Sequence, residues 1–272
     1  ALLQGKTPSQ RGFFDMDYTV FVENWEKMTR GLRRAIELIE SLRIFDGERL
    51  PTAIPIPVIA ALLADEPETG DRRGQVDKLM RRYAWRSFFT NRYEATAATR
   101  AAADHRGLTA LLGGDEDANI PVFDDDLFPL PSTKELRGAK WAKTKSSVAR
   151  AILASSNYFG ARDFADDTTI SAENVTRREY HHVFPNQLLT EAGLDSMLAL
   201  NCVLITWKTN RTIGRLDPIT YLERRAEFAP EPRDIKDRLE SHLVPYTVVA
   251  AAGPYEQPAG SELRAAVHPD FE

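Results

Sequence analysis

The sequence predicts a mainly α chain of the α+β class, an N-terminal helical bundle followed by a smaller unit in which two short strands are embedded in helices. Three observations predict it. Residues 17 to 43 place Phe21, Trp25, Met28, Leu32, Ala35, Ile39 and Leu42 at alternating steps of four and three, the apolar stripe of an amphipathic helix. The stretch "GGDEDANIPVFDDDLFPLPS" (113 to 132) then interrupts the helical pattern with Gly-Gly, prolines and a cluster of acids. Beyond it, β-favouring runs appear in the order strand, long loop, strand, helix. The expected domains are 1–130, helical, and 131–272, strand-bearing.

In chain order, "PTAIPIPVIAALLADEP" reads as an extended lead into a short buried helix with proline at its first turn. "DRRGQVDKLMRRYAWRSFF" follows as a helix with Val76, Leu79 and Tyr83 apolar and a basic face that includes Arg81 and Arg82. Residues 94 to 112 are Ala-rich and helical by propensity. After the acidic break, "RGAKWAKTKSSVARAILASSNYF" reads as one helix, with Trp141, Val148 and Ile152 inward and a basic outer face formed by Lys140, Lys143, Lys145 and Arg150. Such a basic face is the expected contact if the chain meets nucleic acid. "NVTRREYHH" and "NCVLITW" are the two strands, "KTNRTIGRL" is a short helix capped by Gly214, and "DPITYLERRAEF" starts a helix with Asp217 as N-cap and Pro218 first in the helix.

The 272 residues are 43% hydrophobic and 28% charged, which suits one large or two modest globular domains. A formal charge of -5 argues against general polyanion binding, so a nucleic-acid role must rest on local basic patches. The single cysteine, Cys202, leaves no intrachain disulfide or multi-cysteine zinc site and makes a reducing, cytoplasmic location the expectation. No apolar run reaches the roughly 20 residues of a membrane span, so no membrane partner is expected. The chain opens on Ala and stops at "AAVHPDFE", as a further helical pattern begins, which reads as a piece of a longer protein.

The chemistry concentrates in "REYHHVFPNQLL" (178 to 189), where His181 and His182 are adjacent and a Phe184-Pro185 turn follows. Neighbouring side chains in a strand point to opposite faces, so two such histidines share one site only where the strand ends and turns. Phosphodiester hydrolysis near neutral pH needs a cation to neutralise developing charge and a base to take a proton from water, and imidazole serves either need. A strand-end pair packed and hydrogen-bonded without chemistry is the plain alternative. Asp163, Asp166 and Asp167, just upstream, read as turn residues. His242 reads as a helix-end histidine facing the core.

The residues "EYHHVFP…NCVLITWKTNRTIG" resemble the HNH nuclease motif of the ββα-metal (His-Me finger) superfamily. The version is that found at the C-terminal end of GmrSD-type modification-dependent restriction endonucleases and SspE-like phosphorothioate-dependent defence proteins. "FGARDFADDTTIS", "DPITYLERR", "LESHLVP", "WRSFFTNRYEATAATR" and "PTAIPIPVIAALL" are similar to stretches of the same family, so the resemblance covers most of the chain. It implies a metal-dependent DNA endonuclease or nickase serving restriction of modified DNA or antiphage defence. His182 matches the general base, His181 and Asn210 the metal ligands, and Asn201 the middle residue that braces the loop and orients the base. A site built from His181 and Asn210 has no carboxylate, which makes Mn²⁺ or another transition ion as reasonable an expectation as Mg²⁺. Arg211 and Arg215, beside Asn210, are candidate phosphate contacts.

Neither a P-loop nor the "DGQQR"-like signature of the family's nucleotide-hydrolysing half occurs in the sequence. The resemblance therefore implies an effector whose partner is a nucleotide-hydrolysing regulatory domain, with homo-oligomerisation left open. Two alternatives remain for the sequence alone, a catalytically idle nucleic-acid-binding or oligomerisation module and an RNA-cleaving toxin nuclease.

Overall fold

A computed structural model describes residues 1–213, 217–226 and 233–252. The described chain is mainly helical with one small antiparallel sheet of two strands. It forms two compact units, the first made of Ala1–Leu42 and Thr52–Pro131, the second of Arg43–Pro51 and the described residues from Ser132 onward. Among the described residues no helix is long and apolar enough to cross a membrane.

The first unit contains α1 (Gln10–Phe14), α2 (Tyr18–Glu23), α3 (Trp25–Ser41), α4 (Pro55–Leu63), α5 (Gly70–Phe89) and α6 (Ala97–Leu112). The single helix expected over 17–43 is broken at Asn24, whose side-chain amide (2.8 Å) and backbone N–H (3.1 Å) both bond back to the Val20 carbonyl. The expected stripe holds only in part: Ala35, Ile39 and Leu42 are buried, but Trp25 and Leu32 are exposed, and Gly31, Arg34 and Leu38 join the buried face. Gly31 sets that choice, because a Cβ there would lie 2.2 Å from the Ala60 carbonyl oxygen, so only glycine lets α3 approach α4 so closely. Arg34 then reaches the carbonyls of Leu63 (2.5 Å), Glu66 (2.6 Å) and Pro67 (3.1 Å), satisfying acceptors left open at the end of α4. The acidic, proline-rich stretch packs within this unit: Val122 is fully buried, and Arg86 donates to the carbonyls of Val122 (3.1 Å) and Phe128 (2.8 Å).

The second unit contains α7 (Thr133–Arg137), α8 (Ser147–Tyr158), β1 (Arg178–His182), α9 (Asn186–Glu191), β2 (Cys202–Thr206), α10 (Trp207–Ile213), α11 (Pro218–Ala226), α12 (Arg233–Glu240) and α13 (Tyr246–Ala252). A two-stranded ribbon is marginal alone in water, and here both of its faces are covered. Val203 and Ile205 face a core that includes Val183, Phe184, Leu189, Leu222 and Leu239. Cys202 and Leu204 face a second core with Trp141, Leu153, Ile170 and Val175. That double coverage is why "CVLI" is apolar without alternation. Asp217 caps α11 by accepting from the amides of Ile219 and Thr220, each at 3.0 Å, as its sequence position implies. Gly214, expected to cap α10, lies outside the described residues.

One expectation is overturned here. The helix expected from Arg137 to Phe159 begins only at Ser147, after a loop, residues 138–146, that follows α7. Gly138 closes α7, Thr144 turns back to the Trp141 carbonyl (2.7 Å), and the Ser146 hydroxyl accepts from the Ala149 amide to start α8. Trp141 is buried as expected, but Lys140, Lys143 and Lys145 ride on this loop and do not form a basic helical face.

Candidate active site

Chain geometry places the motif at one end of the ribbon. β1 and β2 pair antiparallel, with His181 opposite Val203 and His182 opposite Cys202. α10 follows β2 without a linker because Thr206 ends the strand and its hydroxyl accepts from the Thr209 amide (3.3 Å), serving as the helix N-cap. The direction of α10 is fixed from below by Asp163, which has no solvent exposure. One of its carboxylate oxygens accepts from the Thr209 hydroxyl (2.5 Å) and the Ala165 amide (2.9 Å), and the other from the Thr206 amide (2.6 Å). Burial by itself would raise the pKa of this carboxylate. The hydrogen bonds from Thr206, Thr209, Ala165 and Asp166 outweigh that and hold it below the ordinary value. Arg178 at the start of β1, also buried, lies 3.4 Å from the same carboxylate. Asp163 is thus the turn residue expected and, in addition, the point at which β1, β2 and α10 are joined.

This framework brings His181 and Asn210 together, with Nδ1 of the histidine 2.6 Å from Oδ1 of the asparagine. The Asn210 amide nitrogen in turn donates to Glu179 (2.7 Å). Sequence reasoning missed Glu179. The signal was available, since residues i and i+2 of a strand share a face, and Glu179 stands two before His181. A carboxylate therefore stands beside the two expected ligands, bonded to the Asn210 amide. His181 is buried, and burial pushes its pKa down to about 4, the Asn210 contact opposing the shift. Its ring is neutral at physiological pH, and Nε2 is buried without a hydrogen-bond partner.

His182 sits on the other face of β1. Strand pairing continues past it, the Val183 amide donating to the Asn201 carbonyl (2.9 Å), so alternation is preserved and the two rings leave opposite faces, where a turn at the strand end had been expected to bring them to one. The His182 ring stacks on Trp141, centroids 4.2 Å apart and planes 20° apart, and burial lowers its pKa. It borders a cleft of about 760 Å³ whose walls include Glu48, Arg49, Lys143, Glu179 and Tyr180. Glu179 borders this cleft and bonds to Asn210.

Asn201 is fully buried and braces the turn after the histidines. Its Oδ1 accepts from the Phe184 amide (2.8 Å), and its Nδ2 donates to the carbonyls of Phe184 and Ser196, each at 3.1 Å. The bracing is as the motif implies. Both protons of that amide are taken, however, so Asn201 positions His182 through the main chain and does not reach the ring. Among the expected phosphate contacts, Lys140 pairs with Asp195 (2.8 Å), and Arg150 is engaged with the carbonyls of Thr144 and Leu50. Lys143 borders the cleft, its ammonium 5.9 Å from the Tyr180 ring centre, and Lys145 is exposed. The side chain of Arg211, and Arg215 altogether, lie outside the described residues.

Among the described residues no three His, Cys, Asp or Glu side chains gather as a metal site. The His181 imidazole, the Asn210 amide and the Glu179 carboxylate stand in one hydrogen-bonded row and are nitrogen and oxygen groups of the kinds that Mn²⁺ and Mg²⁺ take. Compared with known proteins, the chain matches no family model, no curated protein and no solved structure.

Proposed function

We propose that the second unit is a metal-dependent phosphodiester hydrolase of the HNH type, nicking or cutting DNA in restriction of modified DNA or antiphage defence. The observation that carries this reading is the contact between His181 and Asn210, two residues 29 apart in sequence that the resemblance independently designates as partners in one ion site. In this reading His182, neutral because burial lowers its pKa, accepts a proton from the attacking water on the cleft side. His181 and Asn210 would hold the ion. A divalent ion, when bound, supplies Lewis-acid stabilisation of the charge developing on the phosphate. Asn201 keeps the turn after His182 rigid, and Lys143 adds positive charge at the cleft wall. A nucleotide-hydrolysing partner domain would supply regulation.

Nicking of a supercoiled plasmid across a panel of Mg²⁺, Mn²⁺ and other divalent ions, with an EDTA control and an RNA substrate alongside, tests the proposal. DNA nicking that appears only with metal supports it; RNA cleavage alone moves the activity to an RNA-cleaving nuclease. One observation favours a catalytically idle binding module, namely that His182 Nε2 is buried and its ring stacked on Trp141. No nicking with any ion, despite retained DNA binding, would select that reading.

A further inference from the structure

Large apolar side chains near the start of the first unit lie open to solvent, among them Phe14, Tyr18, Val22, Trp25, Leu32 and Ile36. Their successive steps of four, four, three, seven and four residues are those of one helical face, kept across the break at Asn24. On α3, Trp25, Leu32 and Ile36 fall within an arc of about 40°, turned away from the face that packs on α4. The Phe21 ring links the α2 and α3 parts, meeting Trp25 edge to face with centroids 5.7 Å apart. With Phe14 74%, Tyr18 60% and Trp25 53% exposed, these three rings alone leave roughly 400 Å² uncovered. Val22, Leu32 and Ile36 extend the patch beyond what a monomer usually leaves in water, towards the roughly 800 Å² that each partner gives to a stable interface.

The charges beside the stripe indicate what covers it. Glu26 and Arg33, both exposed, flank the stripe on one side of α3, and the midpoint between them nearly coincides with the midpoint between Trp25 and Ile36. Turning the helix end for end about that point therefore exchanges Glu26 with Arg33 and Trp25 with Ile36. Arg33 is available for such a contact, because its exposed pairing with Glu37 at 3.9 Å is of a weak kind. We propose that this stripe is the interface of a homodimer in which the α3 helices pair antiparallel about a twofold axis. Each Trp25 then packs on Ile36 of the second copy, Leu32 lies next to the axis, and two Glu26–Arg33 pairs close the rim, the self-complementarity that a twofold interface requires. An anionic lipid surface suits the stripe less well, since Asp15, Asp17, Glu23 and Glu40 are exposed around it. The inference does not depend on the nuclease reading.

Sedimentation velocity of the full chain over a concentration series tests it, with wild type, Leu32→Glu, Glu26→Arg, Arg33→Glu and the double reversal compared and native folding checked by circular dichroism. The wild type is expected to dimerise. Leu32→Glu should raise the dissociation constant at least about 30-fold, the scale of losing a central interface residue. Each single reversal sets like charges opposite each other twice and should weaken the dimer by about 10-fold, whereas the double reversal recovers most of the loss. A wild type that stays monomeric up to its solubility limit overturns the proposal, and pelleting of that monomer with phosphatidylcholine vesicles would assign the stripe to lipid instead. A dimer that Leu32→Glu leaves intact overturns it by placing the interface elsewhere. A double reversal no tighter than the single ones overturns the antiparallel pairing.

Discussion

Asp163 takes a 2.5 Å hydrogen bond from the hydroxyl of Thr209, the residue immediately before Asn210, although 46 positions separate the two in the chain. The same carboxylate faces Arg178, three residues before His181, so one buried anion controls the approach of the two halves of the candidate ion site. Removing it leaves the buried Arg178 guanidinium without its carboxylate partner.

Asp163→Ala is therefore expected to destabilise the second unit by about 3–5 kcal/mol, the usual consequence of breaking one partner out of a buried pair. Chemical denaturation followed by circular dichroism checks this. Replacing both Asp163 and Arg178 by apolar residues should recover part of the loss, because no charge is then stranded. A loss below about 1 kcal/mol in the single variant would show that water reaches this pair.

Acid sensitivity follows from His242. Burial pushes its pKa down to about 4, and its Nε2–H donates to the Arg162 carbonyl (2.7 Å) while Nδ1 is buried without a partner. The unfolded chain binds this proton near pH 6.5, so between 6.5 and about 4 the unfolded state carries more protons than the folded one. The contribution is full above pH 6.5 and is lost as pH falls towards 4, on the order of 3 kcal/mol in all. In His242→Gln the decline of stability over that window should be shallower by about 1.4 kcal/mol per pH unit at its steepest. An identical decline in the two proteins would remove His242 from the account.

DNA affinity should depend on Lys143 and Lys145, whose charges face the cleft wall and solvent, and not on Lys140, which is paired with Asp195. Reversing both lysines to Glu is expected to weaken binding and flatten the dependence of log K on log salt by about two. Fluorescence anisotropy across a salt series measures it. A slope that does not change directs attention to Arg81 and Arg82 on α5.

For the ion site, His181→Ala and Asn210→Ala should each shift the Mn²⁺ titration of nicking to higher concentration, about 10-fold or more, with partial recovery at saturating ion. Titrations that superimpose on the wild type would dismiss the site.

The order of β1, β2 and α10 was legible because each strand carries its own local chemistry, β-favouring residues up to His182 and an apolar "CVLI"; the Thr206 cap that starts α10 one residue earlier than expected was not read. The pairing of His181 with Asn210 was legible only through the resemblance, since no local rule joins residues 29 apart. Glu179 was readable from strand alternation alone, but a single glutamate on a strand carries no signal until the register puts it on the face of His181. The loop at 138–146 misled for a different reason. "AKWAK" has helical propensity, but the buried Trp141 and the bridge of Lys140 with Leu198 hold it extended, and neither contact is local. Likewise the face that α3 buries was decided by the close approach of Gly31 to α4, a tertiary fact that an apolar stripe does not contain.

The central claim is that His182 activates water for phosphodiester cleavage, and single-turnover nicking of a supercoiled plasmid by wild type and His182→Ala at saturating Mn²⁺ tests it most directly. Circular dichroism and DNA binding are measured on the same samples, because the variant also loses the ring stacked on Trp141. The account predicts a folded, DNA-binding variant whose nicking rate is at least about 100-fold lower, the scale of losing a general base. A folded variant that nicks at the wild-type rate would contradict it.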